Sequence, residues 1–138
     1  MQRVVLDTNI VLSAMLTNFG PAAVVWGLAL GRRLELAIDD QILDEYDDVL
    51  SRPRFGIAAR DRMIILDRVR RVGQAHAPQA LPGGRKGFPD PADVAFIELA
   101  TGARVDALIT KNLKHFPPAR CGNIAILTPE QILARIQI

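Results

Sequence analysis

Short apolar segments alternate with longer helical patterns along most of this sequence. Four short segments, at residues 4–6, 34–38, 107–110 and 124–127, are predicted to be strands, and the first is an uninterrupted, mostly β-branched run typical of a buried parallel strand. Helical patterns lie at residues 10–16, 22–30, 39–51, 58–72, 94–101 and 132–136. Strands separated by helices pair in parallel, because each helix carries the chain back to the starting edge of the sheet. The sequence therefore predicts an α/β sandwich around a mostly parallel sheet.

Composition is that of an ordinary globular domain. The 138 residues suffice for one domain with a sizeable core, and 49% of them are hydrophobic while 23% are charged. The single cysteine, Cys121, excludes an intrachain disulfide and favours a reducing compartment. No secretory signal pattern and no apolar segment of membrane-spanning length occurs. We expect a cytoplasmic protein without a membrane partner, whose net charge of +2 tolerates an anionic ligand.

The first predicted strand ends at an acid, Asp7, in the segment VVLDTN at residues 4–9. In an open α/β sheet, ligands bind outside the carboxyl ends of the strands, where a carboxylate can hold a hard cation. The plain structural alternative is that Asp7 caps the helix that follows. The strand at residues 107–110 ends in Thr110, Lys111 and Asn112, and its end can lie beside that of the first strand.

The helical pattern at residues 39–51 carries six acids. Asp44 and Asp48 point away from its apolar stripe, whereas Glu45 and Asp47 lie at the two borders of that stripe. A side chain at a border can reach over the edge of the sheet while its stem stays packed. The helical wheel does not choose between Glu45 and Asp47, and the acids as a set also fit a solvated helix start favoured by the helix dipole.

A third acidic segment opens the helix at residues 94–101. Asp90 fits an N-cap, Pro91 the first helical position and Asp93 the first turn. The helix behind them is apolar on nearly all sides, which predicts that it is buried. Two carboxylates at a buried helix start are costly unless a cation compensates them, so this segment indicates a binding site.

Together the acids predict a site for Mg²⁺ or Mn²⁺. Oxygen donors without a histidine or cysteine cluster suit these cations better than zinc. A cation held in this way polarises a phosphodiester and lowers the pKa of a bound water. The candidates are Asp7, Asp93, one acid of the Glu45 and Asp47 pair, Asn112 and Asp90.

The basic residues and histidines are less informative. Seven arginines between residues 52 and 71 fit a phosphate-binding flank, a dimer surface or a solvated helix face, and the absence of interleaved aromatics favours the last. The loop at residues 81–89 lacks the Gly-Lys-Ser/Thr of a phosphate-binding loop, so we expect a flexible connector rather than a basic lip over a site. His76 and His115 are expected to be structural or solvated, with substrate contact left open for His115.

Four segments, in this order, resemble the PIN-domain ribonucleases, especially the VapC-like toxins of toxin–antitoxin pairs. They are VLDTN at residues 5–9, LDEY at 43–46 with VLSRPRF at 49–55, DPAD at 90–93 and TKNLKHFP at 110–117. The resemblance spans essentially the whole chain and rests on order and spacing rather than on any single motif. It implies that residues 1–138 form one PIN-like domain, a three-layer α/β/α sandwich with its acids clustered at one sheet edge.

The resemblance also implies which acids matter. The family's first acid matches Asp7, its helix glutamate matches Glu45 and its third acid matches Asp93, which resolves the choice that the helical wheel leaves open. The fourth family position, often Asp, is Asn112 in this chain. This departure lowers the negative charge of the site and weakens the expected binding of a second metal, and the extra charge of Asp90 is a possible compensation.

The implied function is metal-dependent cleavage of single-stranded or loop RNA. Asp7 and Asp93 would bind Mg²⁺ or Mn²⁺ directly, while Glu45 would bind it through water or orient the attacking water. Asn112 and Thr110 would place metal-bound water or the scissile phosphate.

Other contacts and partners follow from the same resemblance. Asn9 and Asp90 would support the metal ligands or substrate, and Lys111, Lys114 and the arginines would contact the RNA backbone. A small antitoxin that covers the site and a homodimer are also implied.

Two other functions stay open. Asn112 could mark a catalytically weak or inactive PIN-like module that only binds RNA or a protein. Alternatively, Asp7 could be the covalent nucleophile of a different α/β phosphohydrolase, although Asn9 occupies the place where such enzymes carry a second acid.

Overall fold

A computed structural model describes residues 1–136 and contains a sheet of five parallel strands. The strands are β1 (Arg3–Leu6), β2 (Glu35–Ile38), β3 (Gln74–Ala75), β4 (Ala107–Ile109) and β5 (Ile126–Leu127). Their order across the sheet is β3-β2-β1-β4-β5, with Val4 of the central strand opposite Leu36 on one side and Ala107 on the other. The predicted α/β fold with a parallel sheet is confirmed.

Six α-helices within residues 1–136 pack around the sheet. They are α1 (Thr8–Leu16), α2 (Pro21–Leu30), α3 (Asp40–Leu50), α4 (Ala59–Val72), α5 (Val94–Ala103) and α6 (Pro129–Arg135). The strand order runs outward from β1 to β3 and then returns to β4, so α5 connects the edge strand β3 to β4 on the other side of β1. Within residues 1–136, no helix is by itself long and apolar enough to cross a membrane, and only α1 and α2, bent by 103°, reach that length and composition as a pair.

Strand β3 is absent from the sequence prediction. Its two residues are exposed and carry no apolar pattern, so only its pairing with Ala37 and Ile38 identifies it. The strand approaches β2 closely because Gly73 precedes it, and a Cβ atom at Gly73 would lie 2.7 Å from Cδ1 of Ile38. Hydrophobic periodicity cannot predict strand β3, because its close approach to β2 leaves no local hydrophobic pattern in the sequence.

The core carries the site on rigid elements. Val4, Val5 and Leu6 are fully buried, and α5 is buried nearly all round, as its sequence predicts. Tyr46 of α3 is also fully buried, and its hydroxyl donates a hydrogen bond to the carbonyl oxygen of Leu6. This bond fixes α3 at the carboxyl end of β1, one residue before Asp7.

Candidate functional site

Asp7 lies at the carboxyl end of β1, only 5% exposed. Its backbone N–H donates to the carbonyl oxygen of Ile109, so the ends of β1 and β4 are side by side, as predicted. Oδ1 accepts a hydrogen bond of 2.8 Å from the N–H of Thr8, and Oδ2 accepts one of 2.7 Å from the hydroxyl of Thr110. Asp7 therefore caps α1, and two hydrogen bonds fix the orientation of its carboxylate.

Thr110 is the centre of a hydrogen-bond network between the two strand ends. Besides donating to Asp7, its fully buried hydroxyl oxygen accepts bonds from Nδ2 of Asn9 at 3.3 Å and from the backbone N–H of Asn112 at 3.0 Å. One donor and two acceptor sites are all that a hydroxyl has, so this group is saturated. Thr110 thus fixes the Asp7 carboxylate and the start of the segment after β4.

Lys111 extends from this network along α1. Its backbone N–H donates to Oδ1 of Asn9 at 3.2 Å, and its Nζ atom donates to the hydroxyl of Ser13 at 3.2 Å. The lysine is exposed, so its charge faces solvent beside the acidic site rather than neutralising a buried acid. Ser13 is a contact that the sequence does not signal.

Asp93 lies at the start of α5, after a 3₁₀ turn formed by Pro91–Asp93. Its Oδ2 atom is buried, accepts no well-directed hydrogen bond, and lies 3.1 Å from Nδ1 of His115. Burial, together with the charges of Asp7 and Asp90, raises the pKa of Asp93 to about 7, although His115 acts in the opposite direction. His115 therefore contacts the candidate site, which the sequence left open.

The two acids that the helical wheel could not separate have different surroundings. Asp47 is more than half exposed and forms a 2.8 Å ion pair with Arg62 of α4. Glu45 is half-buried, and burial, Asp48, Asp90 and then Asp7 raise its pKa, while Arg52 lowers it. Glu45 therefore lies in the electrostatic field of Asp7, and its role in the site stays a prediction.

Asp90 has both properties that the sequence suggests for it. It is exposed, and its carboxylate accepts a 3.0 Å hydrogen bond from the N–H of Ala92, as an N-terminal cap does. Its negative charge also raises the pKa values of Asp7, Glu45 and Asp93, so it belongs to the same electrostatic cluster.

The chemistry of this edge fits a divalent cation held largely through water. Oγ1 of Thr8 is buried without a hydrogen-bond partner, and Oδ2 of Asp93 is buried with only His115 beside it, so both oxygens can accept a contact from a water or an ion. Among residues 1–136, no three histidine, cysteine or carboxylate side chains converge closely enough to hold a metal ion by themselves. Mg²⁺ commonly uses only one or two carboxylates and keeps several waters. Metal binding by Asp7, Glu45 and Asp93 stays a prediction.

Asn112 occupies the position at which the sequence lacks a fourth acid. The residue is half-buried and its backbone, not its amide side chain, makes the bond to Thr110. The Thr110 hydroxyl binds both the Asp7 carboxylate and the backbone N–H of Asn112, so it holds Asn112 close to Asp7 in the fold.

Comparisons with known proteins agree with this architecture. Residues 3–114 match the family profile described as "PIN domain". Among solved structures, the chain is similar to the crystal structure of PAE2754 from Pyrobaculum aerophilum, with a TM-score of 0.60 and 15% sequence identity over 97% of this chain and 88% of that chain. At this identity the likeness shows the fold alone. A comparison with curated protein sequences gives no match.

Proposed function

Because the chain belongs to the PIN-domain family, whose members are generally nucleases, we propose that it is a metal-dependent ribonuclease. The observation that carries the proposal is the clustering of like charges at the carboxyl edge of the sheet. Asp7, Glu45 and Asp93 all have raised pKa values, caused first by burial and then in part by one another and by Asp90. A bound divalent cation would offset this repulsion.

Asp7 and Asp93 are the proposed direct ligands of Mg²⁺ or Mn²⁺, with Glu45 acting through water. When bound, such an ion polarises the scissile phosphate and makes a water more acidic. Thr110 and Thr8 hold the Asp7 carboxylate in one orientation, so a cation meets a fixed ligand. His115 lies against Oδ2 of Asp93 and restricts that carboxylate in the same way.

Glu45 is the proposed acceptor of the proton from the attacking water. Burial raises its pKa above the ordinary glutamate value, which brings its basicity closer to neutral pH. Its position on α3 is fixed by the adjacent Tyr46, which is bound to the end of β1. Asn112 is proposed to orient the phosphate or a water through its amide.

RNA is the proposed substrate, bound through its backbone by exposed lysines beside the acids. Lys111 is tethered at the mouth of the site by Ser13, and Lys114 is exposed on the segment that follows. Phosphate contacts of this kind supply affinity without sequence information. They also draw the polyanion toward an edge whose own carboxylates would otherwise repel it.

We further propose that the protein is a cytoplasmic toxin of a toxin–antitoxin pair that forms a homodimer and binds a small antitoxin. A groove of about 490 Å³ between α1 and α4, with exposed apolar side chains in a largely polar lining, supports a protein partner. Leu16 and Ile64 line it while 54% and 45% exposed, and Met15 and Phe55 add apolar surface. Light scattering tests the dimer, because the wild type should have the mass of a dimer and Leu16→Asp the mass of a monomer. A wild type with the mass of a monomer would contradict the proposal.

Cleavage of a labelled structured RNA tests the ribonuclease proposal. The wild type should cut with Mg²⁺ or Mn²⁺ and stop with EDTA, and Asp7→Asn should lose cleavage while retaining its circular dichroism spectrum. Thr8 still finds an oxygen acceptor in that variant, so the cap survives. RNA binding without metal-dependent cutting would instead favour an inactive binding module and direct attention to Asn112.

A further inference from the structure

The loop at residues 82–88 has a defined conformation, whereas its sequence predicts a flexible connector. Three of its glycines have positive φ angles: Gly83 at +81°, Gly84 at +52° and Gly87 at +85°. This conformation, which other residues rarely adopt, turns successive carbonyl groups toward the same side chain. The loop is therefore folded around the side chain of Arg120.

The Arg120 guanidinium donates three hydrogen bonds to carbonyl oxygens of the loop. Nη1 bonds Pro82 at 2.8 Å, Nη2 bonds Gly84 at 2.8 Å and Nε bonds Lys86 at 2.7 Å. The same guanidinium lies 5.6 Å from the centre of the Phe88 ring. These contacts need a planar fork of donors, which arginine has and lysine lacks.

Gly83 is required by space as well as by backbone conformation. A Cβ atom on it would lie 3.1 Å from Nη2 of Arg120, closer than ordinary contact. The loop and the arginine thus fit each other from both sides. We call the Arg120 side chain with the carbonyl groups of Pro82, Gly84 and Lys86 the carbonyl clamp.

The carbonyl clamp joins two of the segments that contribute to the candidate site. Arg120 follows His115 by five residues, and Phe88 precedes Asp93 by five residues. The contact between His115 and Asp93 is a second connection between the same two segments. The side chains of Arg85 and Lys86 are exposed while the loop's carbonyl groups are bound to Arg120. The loop that carries these two cations is therefore ordered, and the carbonyl clamp joins it to the segment that follows His115.

We propose that Arg120 is a positioning residue, which orders the loop at residues 82–88 so that Arg85 and Lys86 bind the backbone of the RNA substrate. The inference rests on the proposed ribonuclease function. The guanidinium of Arg120 itself is occupied by carbonyl oxygens, so it acts through the loop and not on phosphate. A preordered loop binds with less loss of conformational entropy than a mobile one.

Arg120→Ala should release the loop, and two measurements detect this. Trypsin should cleave after Arg85 and Lys86 faster in the variant than in the wild type. RNA affinity, measured with Asp7→Asn in the background to prevent cutting, should fall roughly ten-fold at low salt, with the slope of log Kd against log salt reduced by up to about 1.4 for two lost contacts. Arg120→Lys should behave like Arg120→Ala.

Arg135→Ala is the matched control, because it removes the same charge at the other end of the sheet. Arg135 is an exposed residue in the last turn of α6, beside Met1 and Gln2 at the start of β1. It should leave both readouts close to the wild-type values. A double variant, Arg85→Ala with Lys86→Ala, should reproduce the affinity loss, and adding Arg120→Ala to it should cost little more.

The possible outcomes separate the inference from the proposed function. Faster proteolysis with weaker RNA binding in Arg120→Ala, matched by the double variant, supports the clamp. Faster proteolysis with unchanged RNA affinity, or affinity restored by Arg120→Lys, overturns the positioning role while the ribonuclease proposal stands. A wild type that neither binds nor cuts RNA overturns both, and a change in the melting temperature common to all arginine variants would contradict a specific role.

Discussion

The two ends of strand β1 differ in how far the charges of the side chains around them are compensated. At the amino end, Arg3 pairs with Glu35 of β2, donates to the carbonyl of Ala103, and gives its backbone N–H to Asp106 at 2.7 Å. At the carboxyl end, Asp7 is buried among other acids, and only hydrogen bonds and a histidine offset the negative charge. Strand β1 is only four residues long, so an edge where the charges are compensated lies close to an edge where acids cluster.

This difference shows which edge is built for binding. At the amino edge Arg3 serves both carboxylates, Glu35 through its guanidinium and Asp106 through its backbone N–H, whereas within residues 1–136 no arginine or lysine forms an ion pair with Asp7, Glu45 or Asp93. Buried acids that raise one another's pKa values destabilise the folded chain. Such a group of acids is therefore expected where a bound ligand offsets the loss of stability. The following predictions test whether the carboxyl edge is the functional one.

The largest expected effect separates Glu45 from its neighbour Asp47. Glu45→Gln should reduce RNA cleavage by at least about 100-fold, because it removes the proposed proton acceptor. Asp47→Asn, the matched control, loses only an exposed ion pair with Arg62 and should stay within about two-fold of the wild type. Single-turnover cleavage rates measure both, and equal losses in the two variants would contradict the assignment of Glu45.

Removing the Thr110 hydroxyl should have the next largest effect. Thr110→Val leaves Oδ2 of Asp7 without its donor and should cost roughly 10- to 100-fold in metal affinity or cleavage. Thr101→Val is the control, because that hydroxyl donates only to the carbonyl of Ile97 within α5. The account is wrong about Thr110 if both valine variants lower cleavage equally while the melting temperatures agree.

Asp93→Asn should stabilise the metal-free protein at alkaline pH. The pKa of Asp93 is raised to about 7 in the folded state, against 3.8 for an ordinary aspartate, so the folded chain binds more protons than the unfolded chain between these two pH values. The stability that this protonation contributes is full below the unfolded value and is lost as the pH rises through 7. Asp93→Asn should therefore gain up to about 4 kcal/mol at pH 8 and almost nothing at pH 3.5.

Urea unfolding of the two proteins in EDTA at several pH values measures this difference. Addition of Mg²⁺ should stabilise the wild type and not the variant, because the ion binds only the intact site in the folded chain. A gain for Asp93→Asn that does not depend on pH would contradict the role of charge.

The smallest effect is expected at the amino end. Glu35→Gln breaks a partly buried pair with Arg3 and should lower the free energy of unfolding by about 1 kcal/mol or less. RNA cleavage should be unchanged, since this edge holds no proposed ligand. A large loss of cleavage in Glu35→Gln would remove the distinction between the two ends of β1.

Local signals in the sequence predict the frame of this site well. Apolar runs that end at Leu6 and Ile109 place Asp7 and Thr110 at neighbouring strand ends, and the N-cap that the sequence predicts at Asp90 is observed. Such predictions succeed because strand burial and capping depend on residues close together in the chain.

Contacts between distant segments are not readable in this way. The helical wheel cannot separate Glu45 from Asp47, because the ion pair between Asp47 and Arg62 joins two helices. The sequence predicts a flexible connector for the loop around Arg120, because the arginine that orders the loop lies more than 30 residues further along the chain. In both cases the deciding interaction depends on the tertiary fold.

Binding of Mn²⁺ is the most direct test that the acidic edge is a cation site. The electron paramagnetic resonance signal of free Mn²⁺ can be followed during titration of the wild type, Asp7→Asn and Glu35→Gln. We predict binding to the wild type and to Glu35→Gln, and binding weakened at least about ten-fold in Asp7→Asn. Equal binding by all three proteins, or none by the wild type, would contradict the account.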